Sequence, residues 1–369
     1  MSSILERAMP RRDVLAILAA GMGCGPAVGR PDTLVPVTES RGMIWNAVAV
    51  DRGRVFVAGS RWTGSQGPAL GLLETDGTVR PYPDTAWNGW ARGVEPAGAL
   101  VSVNATHMDG RGGLWAVDTG SPDFGGDPLP GGAKLVRIDL TTDRVSRVVP
   151  LGPQIARPGS YVDDVRFRGE MAYLTDAGRP GLIVLDLRDG TARRVLDGHP
   201  STIAPEGRAA VLDGQAVRAP DGGVLRVHVD PLELTPDESW LLYGPLTGPW
   251  SRIETRLLDD SSIPPAELGA RVEPWADLPP VGGTAMDGNG DLYFTDLAED
   301  TLKRLHRDSR ITTMLRDLRL HWADAPFIGA DRNIWLPVPQ MDRVALFNGG
   351  QSRTRWPVQL FRLPLNRPG

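Results

Sequence analysis

Four stretches follow one another through the middle of the chain: LWAVDTG at Leu114–Gly120, KLVRIDLTTDRVSRVV at Lys134–Val149, SYVDDVRFRGEMAYLTDAG at Ser160–Gly178 and GLIVLDLRDGTARRVLDGHPS at Gly181–Ser201. Each is a short apolar or alternating run closed by Gly, Asp, Asn or Ser. Period-two alternation bounded by such residues predicts antiparallel strands joined by hairpin turns. The programme strand, turn, strand, turn, strand then begins again, which predicts small sheets set side by side.

Working outward, the same unit recurs along the chain. A turn rich in Asp, Gly or Arg leads into an apolar strand with one large anchor: Phe56, Trp115, Tyr173, Leu242, Tyr293 and Trp335. A second run follows each: LGLLETDG, KLVRIDL, GLIVLDL, SRIETRLL, TLKRLHRD and RVALFNGG. The anchors stand roughly 40 to 70 residues apart, near the repeat length of propeller blades. A sheet of about four strands cannot bury both faces alone, whereas radial packing of several sheets buries them all. The fold class predicted is all-β, a six-bladed β-propeller with about four antiparallel strands per blade. The segment from His199 to Val224 shows no strand pattern and reads as a connecting insertion. Gly120 to Gly132 reads as a surface Pro/Gly loop.

Composition agrees and narrows the function. The chain has 369 residues, 44 of them Gly and 33 Pro, which suits a polypeptide that turns often. A net charge of −5 with no basic cluster after residue 20 argues against a nucleic-acid platform. Residues 1–29 read as an export signal, with Arg7, Arg11 and Arg12 before the short apolar run VLAILAA at Val14–Ala20. The Arg11-Arg12 pair resembles a twin-arginine signal, and the apolar run is too short to span a bilayer. Residues 30–369 are then a single propeller domain, secreted or periplasmic in a bacterial cell. Cys24 is the only cysteine, so no intramolecular disulfide forms. A lipid anchor on Cys24 is the weaker alternative.

Seven motifs carry a resemblance to the major royal jelly protein/yellow family in its bacterial branch. They are GRVFVAGSRW (Gly53–Trp62), VRPYPDTAWN (Val79–Asn88), SVNATHMDGRGGLWAVDTG (Ser102–Gly120), KLVRIDLTTD (Lys134–Asp143), YVDDVRF with AYLTDAG (Tyr161–Gly178), LTPDESWLLYGPLTG (Leu234–Gly248) and LHWADAPFIGADRNIWLPVPQ (Leu320–Gln340). The similarity runs from about Val48 to Arg343. It implies a secreted six-bladed propeller; some animal members bind biogenic amines and some are linked to dopachrome conversion. By architecture the chain is also similar to metal-dependent lactonases of the gluconolactonase type. Where those carry metal-binding side chains on inner strands, this sequence reads Asp163-Asp164, Asp230-Pro231 and Gly282-Gly283-Thr284, so one metal carboxylate is missing.

In a propeller the first residues of each innermost strand open onto one face, where groups from different blades converge. That rule places Trp45 and Asn46, Asn104, Asp163 and Asp164, His228 and Asp230, Thr284, and Trp322 and Asp324 at the channel entry. The candidate ligand-binding set is Asn46, Asn104, Asp163, Asp230, Thr284 and Asp324. Asp163, Asp230 and Asp324 supply negative charge, and a cationic amine suits carboxylates and a Trp together. Converging carboxylates raise one another's pKa or recruit a cation, and hard oxygen ligands without cysteine favour Ca²⁺, with Asp163 and Asp230 as candidate metal ligands. Asp118 and Asp176, at strand ends, read as turn residues. Trp62, Tyr82, Trp87 and Trp90 either stack on a ligand or fill the wedge between blades. The five histidines lack metal spacing, His107 reads as an inner-strand filler, and no GxSxG or phosphate loop is present. Three functions stay open: a propeller that binds a small polar or aromatic molecule in its channel, a metal-dependent lactonase or dopachrome-type isomerase, and a non-catalytic scaffold. Oligomeric state is not readable.

Overall fold

Period two decides where each anchor goes. In the strand Gly113–Asp118, Trp115 and Val117 face one way while Leu114 and Ala116 face the other, and all four are buried. Trp115 packs in a cluster with Ile183 and Leu185, whereas Leu114 packs with Phe56 and Leu70. Both faces of the sheet are therefore covered by neighbouring sheets, which explains the unbroken apolar run. The other anchors repeat the arrangement. Phe56, Tyr173, Leu242, Tyr293 and Trp335 each lie on the second strand of a sheet, in the apolar cluster shared with the following sheet.

The computed structural model describes residues 33–365. They form six four-stranded antiparallel sheets, each in simple chain order except the last. From the centre outward, blade 1 is Ala47–Asp51, Arg54–Ala58, Leu70–Leu73 and Val79–Pro81, and blade 2 is Val103–Met108, Gly113–Asp118, Lys134–Asp139 and Arg144–Pro150. Blade 3 is Val162–Arg168, Met171–Asp176, Gly181–Asp186 and Ala192–Val195, and blade 4 is Val229–Leu234, Trp240–Pro245, Trp250–Glu254 and Glu273–Ala276. Blade 5 is Val281–Met286, Leu292–Asp296, Thr301–Leu305 and Ile311–Arg316. Blade 6 is Phe327–Ile328, Asn333–Val338, Val358–Pro364 and, outermost, Val35–Ser40 from the start of the described chain. Inner strands of successive blades touch one another, and that of blade 6 touches that of blade 1, closing the ring.

Three details differ from the sequence reading. RVALFNGG is not a strand: Met341–Arg343 and Ala345–Phe347 are short 3-10 turns, and the third strand of blade 6 is Val358–Pro364. Asn348 ties that segment into turns by donating to Asp342 O and Val344 O. The stretch from His199 to Val224 holds a two-stranded hairpin, Val211–Leu212 with Gln215–Ala216, too short for a periodicity to show. Blade 4 carries two short helices, Thr255–Asp259 and Pro265–Gly269, before its outer strand. The export segment and Cys24 lie outside the described residues. Among the described residues no helix is long and apolar enough to cross a membrane.

The strand-end aspartates are structural, as their position predicts. Asp118 accepts hydrogen bonds from Val101 N, Ser102 N and Gly120 N, and from Lys134 Nζ at 2.8 Å, with both charges buried. Asp176 does the same for Tyr161 N and Arg179 N, with Arg194 Nη1 at 2.7 Å. These carboxylates fix the turn that leads into each inner strand, and that turn aims the residues at the channel mouth.

Candidate functional site

The inner strands of blades 2 to 5 each begin with a break in register. Asn104 is an extra residue between the pairs Val103–Asp118 and Ala105–Val117. Asp163-Asp164 oppose Thr175 alone, Asp230-Pro231 oppose Gly244, and Gly282-Gly283 oppose Thr295. A bulge turns a side chain out of the alternation and leaves backbone groups to satisfy. Here threonine satisfies them. Thr175 Oγ1 accepts from Asp164 N and donates to Asp230 O at 2.7 Å, while Thr295 Oγ1 accepts from Gly283 N and donates to Ala323 O. Four successive bulges thus face one end of the channel, and the threonines latch two of them, in blades 3 and 5, to the next blade.

They open onto a cavity of about 340 Å³. All six candidate residues line it: Asn46, Asn104, Asp163, Asp230, Thr284 and Asp324. Trp45 does not; its ring is wholly buried between blades 1 and 6, where Nε1 donates to Gln359 O. Of the four aromatics near blade 1 only Trp62 reaches the cavity. Tyr82 is buried between blades 1 and 2, Trp87 packs beside it, and Trp90 sits in a separate small cluster.

A hydrogen-bond chain orients the acidic wall. Trp62 Nε1 donates to Tyr161 Oη at 2.9 Å, and Tyr161 Oη donates to Asn104 Oδ1 at 2.8 Å. Asn104 Oδ1 also accepts from Ser60 Oγ at 3.0 Å, which leaves Asn104 Nδ2 to donate to Asp163 Oδ1 at 2.6 Å. Asn46 Nδ2 donates to Asn104 O at 2.8 Å, and Asn46 Oδ1 is buried without a partner. Asp163 and Asp230 stand within hydrogen-bonding reach of each other. Burial, then the charges of Asp164 and Asp324, pushes Asp163 well above the usual carboxylate range against the pull of Asn104. Burial, then Asp163 itself, does the same to Asp230. Two carboxylates this close do not both ionise near neutrality, so the pair shares a proton. Burial carries Asp324 up to about 7, although Ala325 N donates to its Oδ1 at 2.9 Å.

The floor was not foreseen from the sequence. Arg166 makes a bidentate pair with Glu233, at 3.0 and 2.8 Å, and a third bond from Nη1 to Asp164 Oδ2 at 2.7 Å. Thr284 Oγ1 donates to Glu233 Oε1 at 3.0 Å, so its hydroxyl belongs to this floor rather than to the acidic wall. Arg166 also depresses the buried His107, on the inner strand of blade 2, which burial already holds neutral. Below the floor lies a second cavity of about 230 Å³. The rim is apolar and equally unforeseen: Phe124 stands 4.8 Å from Trp62 and 5.3 Å from Phe347, ring centre to ring centre. Leu225, Leu246, Trp322 and Met341 continue it, and Ala210, Leu212 and Val217 of the insertion after His199 pack behind them. Phe124 sits in a stretch that read as a plain Pro/Gly loop and Phe347 in RVALFNGG, which read as a strand; only their aromatic character beside glycines distinguished them.

A calcium site needs six to eight oxygens around one point. Among the described residues no group of three or more His, Cys, Asp or Glu side chains is disposed to hold a metal ion. Blade 5, where a further ligand would stand, offers Gly282 and Gly283. A Cβ on Gly283 would lie 2.6 Å from Ala325 N, so the backbone of blade 6 occupies that space. The residues present do not fit such a centre.

Fold and site together define a six-bladed propeller with an acidic cup at one end of a plugged channel. Residues 101–315 match the family described as major royal jelly protein, and the chain belongs to that family. No curated protein matches the chain. Among solved structures it is similar to a virginiamycin B lyase from Staphylococcus aureus, at 10% identity over 90% of this chain and 99% of that one, with a TM-score of 0.50. It is also similar to a protein of unknown function from Bacteroides thetaiotaomicron, at 9% identity over 90% and 72% of the two chains, with a TM-score of 0.54. At such identities the likeness shows the fold alone.

Proposed function

We propose that the chain is an exported binding protein whose cup takes a small organic cation, an aromatic amine of the biogenic type. One observation carries this reading: Asp163, Asp230 and Asp324 converge on the cavity without a basic side chain bonded to any of them among the described residues. Asp164 beside them shows the contrast, since Arg166 neutralises it. Unpaired buried carboxylates are costly, and an ammonium group is the natural counter-charge. Burial and mutual repulsion hold Asp163 and Asp230 towards their protonated forms, so an ammonium group that draws a proton off the pair gains a counter-charge, and Asp324 adds part of another near neutral pH. Asn46 Oδ1 is a further acceptor waiting for an N–H. Trp62, Phe124 and Trp322 supply faces for an aromatic ring or for the cation itself. The volume, about 340 Å³, lies at the small end of ligand pockets, roughly 300–1,000 Å³.

The test is calorimetric titration of tyramine against 4-(2-hydroxyethyl)phenol, which has the same ring and a hydroxyl in place of the ammonium. The amine binds, and the alcohol binds about thirtyfold more weakly or worse, the effect of losing one partner of a buried charge pair. Equal affinities would remove the electrostatic basis of the reading. Calcium is the control, and a calcium-dependent rise in melting temperature that chelator reverses would favour a metal centre instead.

A further inference from the structure

Beside the acidic cup, and sharing the Phe347 ring as a wall, lies a second groove of opposite character. It has a volume of about 560 Å³ and runs between the insertion hairpin and the segment 341–355 of blade 6. Four guanidinium groups line it: Arg218, Arg343, Arg353 and Arg355. Two carboxylates, Asp213 and Asp342, stand among them and act on Arg343, which leaves four guanidinium groups against two carboxylates. Asp342 is hydrogen-bonded at 3.0 Å by His321, whose own pKa, lowered by burial, is lifted to about 9 by Asp300 and Asp342. Asp213 is exposed and reaches only Arg343, at 3.8 Å. Among the described residues the side chains of Arg218, Arg353 and Arg355 have no carboxylate or hydrogen-bond partner. Elsewhere the chain, at net charge −5, sets many arginines against carboxylates, as with Arg54 and Asp143 or Arg252 and Glu273.

Arg343 feels both signs of charge in the groove. Its pKa falls below the ordinary arginine value, chiefly by burial; Asp342 and Asp213 pull it back up, and Arg355 pushes it down. The array is held in place by backbone and amide bonds rather than by counter-charges. Gln340 Oε1 accepts from Arg343 Nη1 and Arg355 N, both at 3.0 Å, and Gln340 Nε2 donates to Arg355 O at 2.8 Å. Arg353 N donates to Arg343 O at 2.7 Å. Forked guanidinium groups presented to one groove with their donors free match the planar, multi-oxygen geometry of carboxylate, sulfate and phosphate.

We propose that this groove is a second binding site and takes a small molecule bearing two or more oxyanion groups, di- or tricarboxylate or polyphosphate in character. It is separate from the cationic site, because Phe347 divides the two and the signs of charge are opposite. The test is titration of the full chain with citrate and with pyrophosphate at about 20 mM and about 200 mM salt. At least one probe binds at low salt and weakens about tenfold or more at high salt, as contacts between exposed charges do. The double variant Arg353→Gln/Arg355→Gln loses that binding at least tenfold, whereas Arg92→Gln, which removes an exposed pair with Asp123 elsewhere, leaves it unchanged. Both altered groove residues are exposed, so the fold is not at stake, and tyramine titration of the double variant reports separately on the cup. Failure of both probes to bind at low salt, or equal binding by the double variant, overturns the proposal. Heparin fragments form a third arm: retention of heparin with no uptake of either small probe would reassign the groove to an anionic polymer and overturn the small-molecule reading.

Discussion

Replacing Asp324 with Asn should make the protein more stable and worse at its task. Burial lifts the Asp324 carboxyl from 3.8 in the open chain to about 7 in the folded one. A carboxyl raised in this way stabilises the fold while it is protonated, fully so below the unfolded value. That stability drains away as pH climbs through the interval from about 4 to about 7. Linkage sets the loss at about 4 kcal/mol once pH passes the folded value, and at less than half of that near pH 5. Asparagine keeps the Oδ1 that accepts from Ala325 N at 2.9 Å and never ionises. Water in the cavity offsets part of the penalty, so the gain near pH 8 is about 2–4 kcal/mol. For a chain of this length 1 kcal/mol moves the melting temperature by roughly 1–2 °C. Differential scanning fluorimetry should therefore show Asp324→Asn melting about 3–6 °C above the parent near pH 8, with no more than about half that difference near pH 5. Amine affinity in the parent should rise as pH passes about 7 and the carboxyl ionises, and this rise should vanish in the variant. Parallel melting curves for the two proteins across that pH range would refute the buried-charge account of the cup.

Two further perturbations separate scaffold from site. Lys134→Ala leaves the Asp118 carboxylate buried with three backbone donors but no counter-charge, and should cost about 3–5 kcal/mol in urea denaturation with tyramine affinity unchanged. Gly283→Ala places a methyl group 2.6 Å from Ala325 N, a contact relieved only by moving the blade 5–6 seam. It should destabilise by more than about 2 kcal/mol and weaken amine binding through Asp324, both seen in one thermal-shift titration.

What could be read in the sequence depended on whether the signal was local. Strand alternation and the recurring anchors are local, so the six blades and the turn roles of Asp118 and Asp176 were legible. The rule that inner-strand starts face the channel brought Asn46, Asn104, Asp163, Asp230, Thr284 and Asp324 to one cavity. It failed for Trp45, because the alternation that turns Asn46 inward turns its neighbour into the blade 6 seam. The roles of Arg166 and Glu233 were not legible, since their pairing spans 67 residues and two blades. Closure of blade 6 by Val35–Ser40 was hidden in the same way: its partner strand lies at the far end of the chain. RVALFNGG looked like a strand because four apolar residues run together there, but Asn348 and the glycines after it commit the backbone to turns.

The floor explains why the cup has one entrance. A propeller channel is open at both ends unless side chains fill it. Here Arg166, Glu233 and Asp164 cross it as a set with one excess negative charge, and Thr284 completes the set with a hydrogen bond. Asp164 raises Asp163, Asp230 and Asp324 alike. The plug therefore does more than block the channel: through Asp164 it biases the cup towards holding protons, and on the proposed reading a bound cation would take their place. Closure of the channel and part of the charge felt in the cup thus share Asp164, so a substitution that freed Asp164, such as Arg166→Ala, should alter proton uptake as well as access.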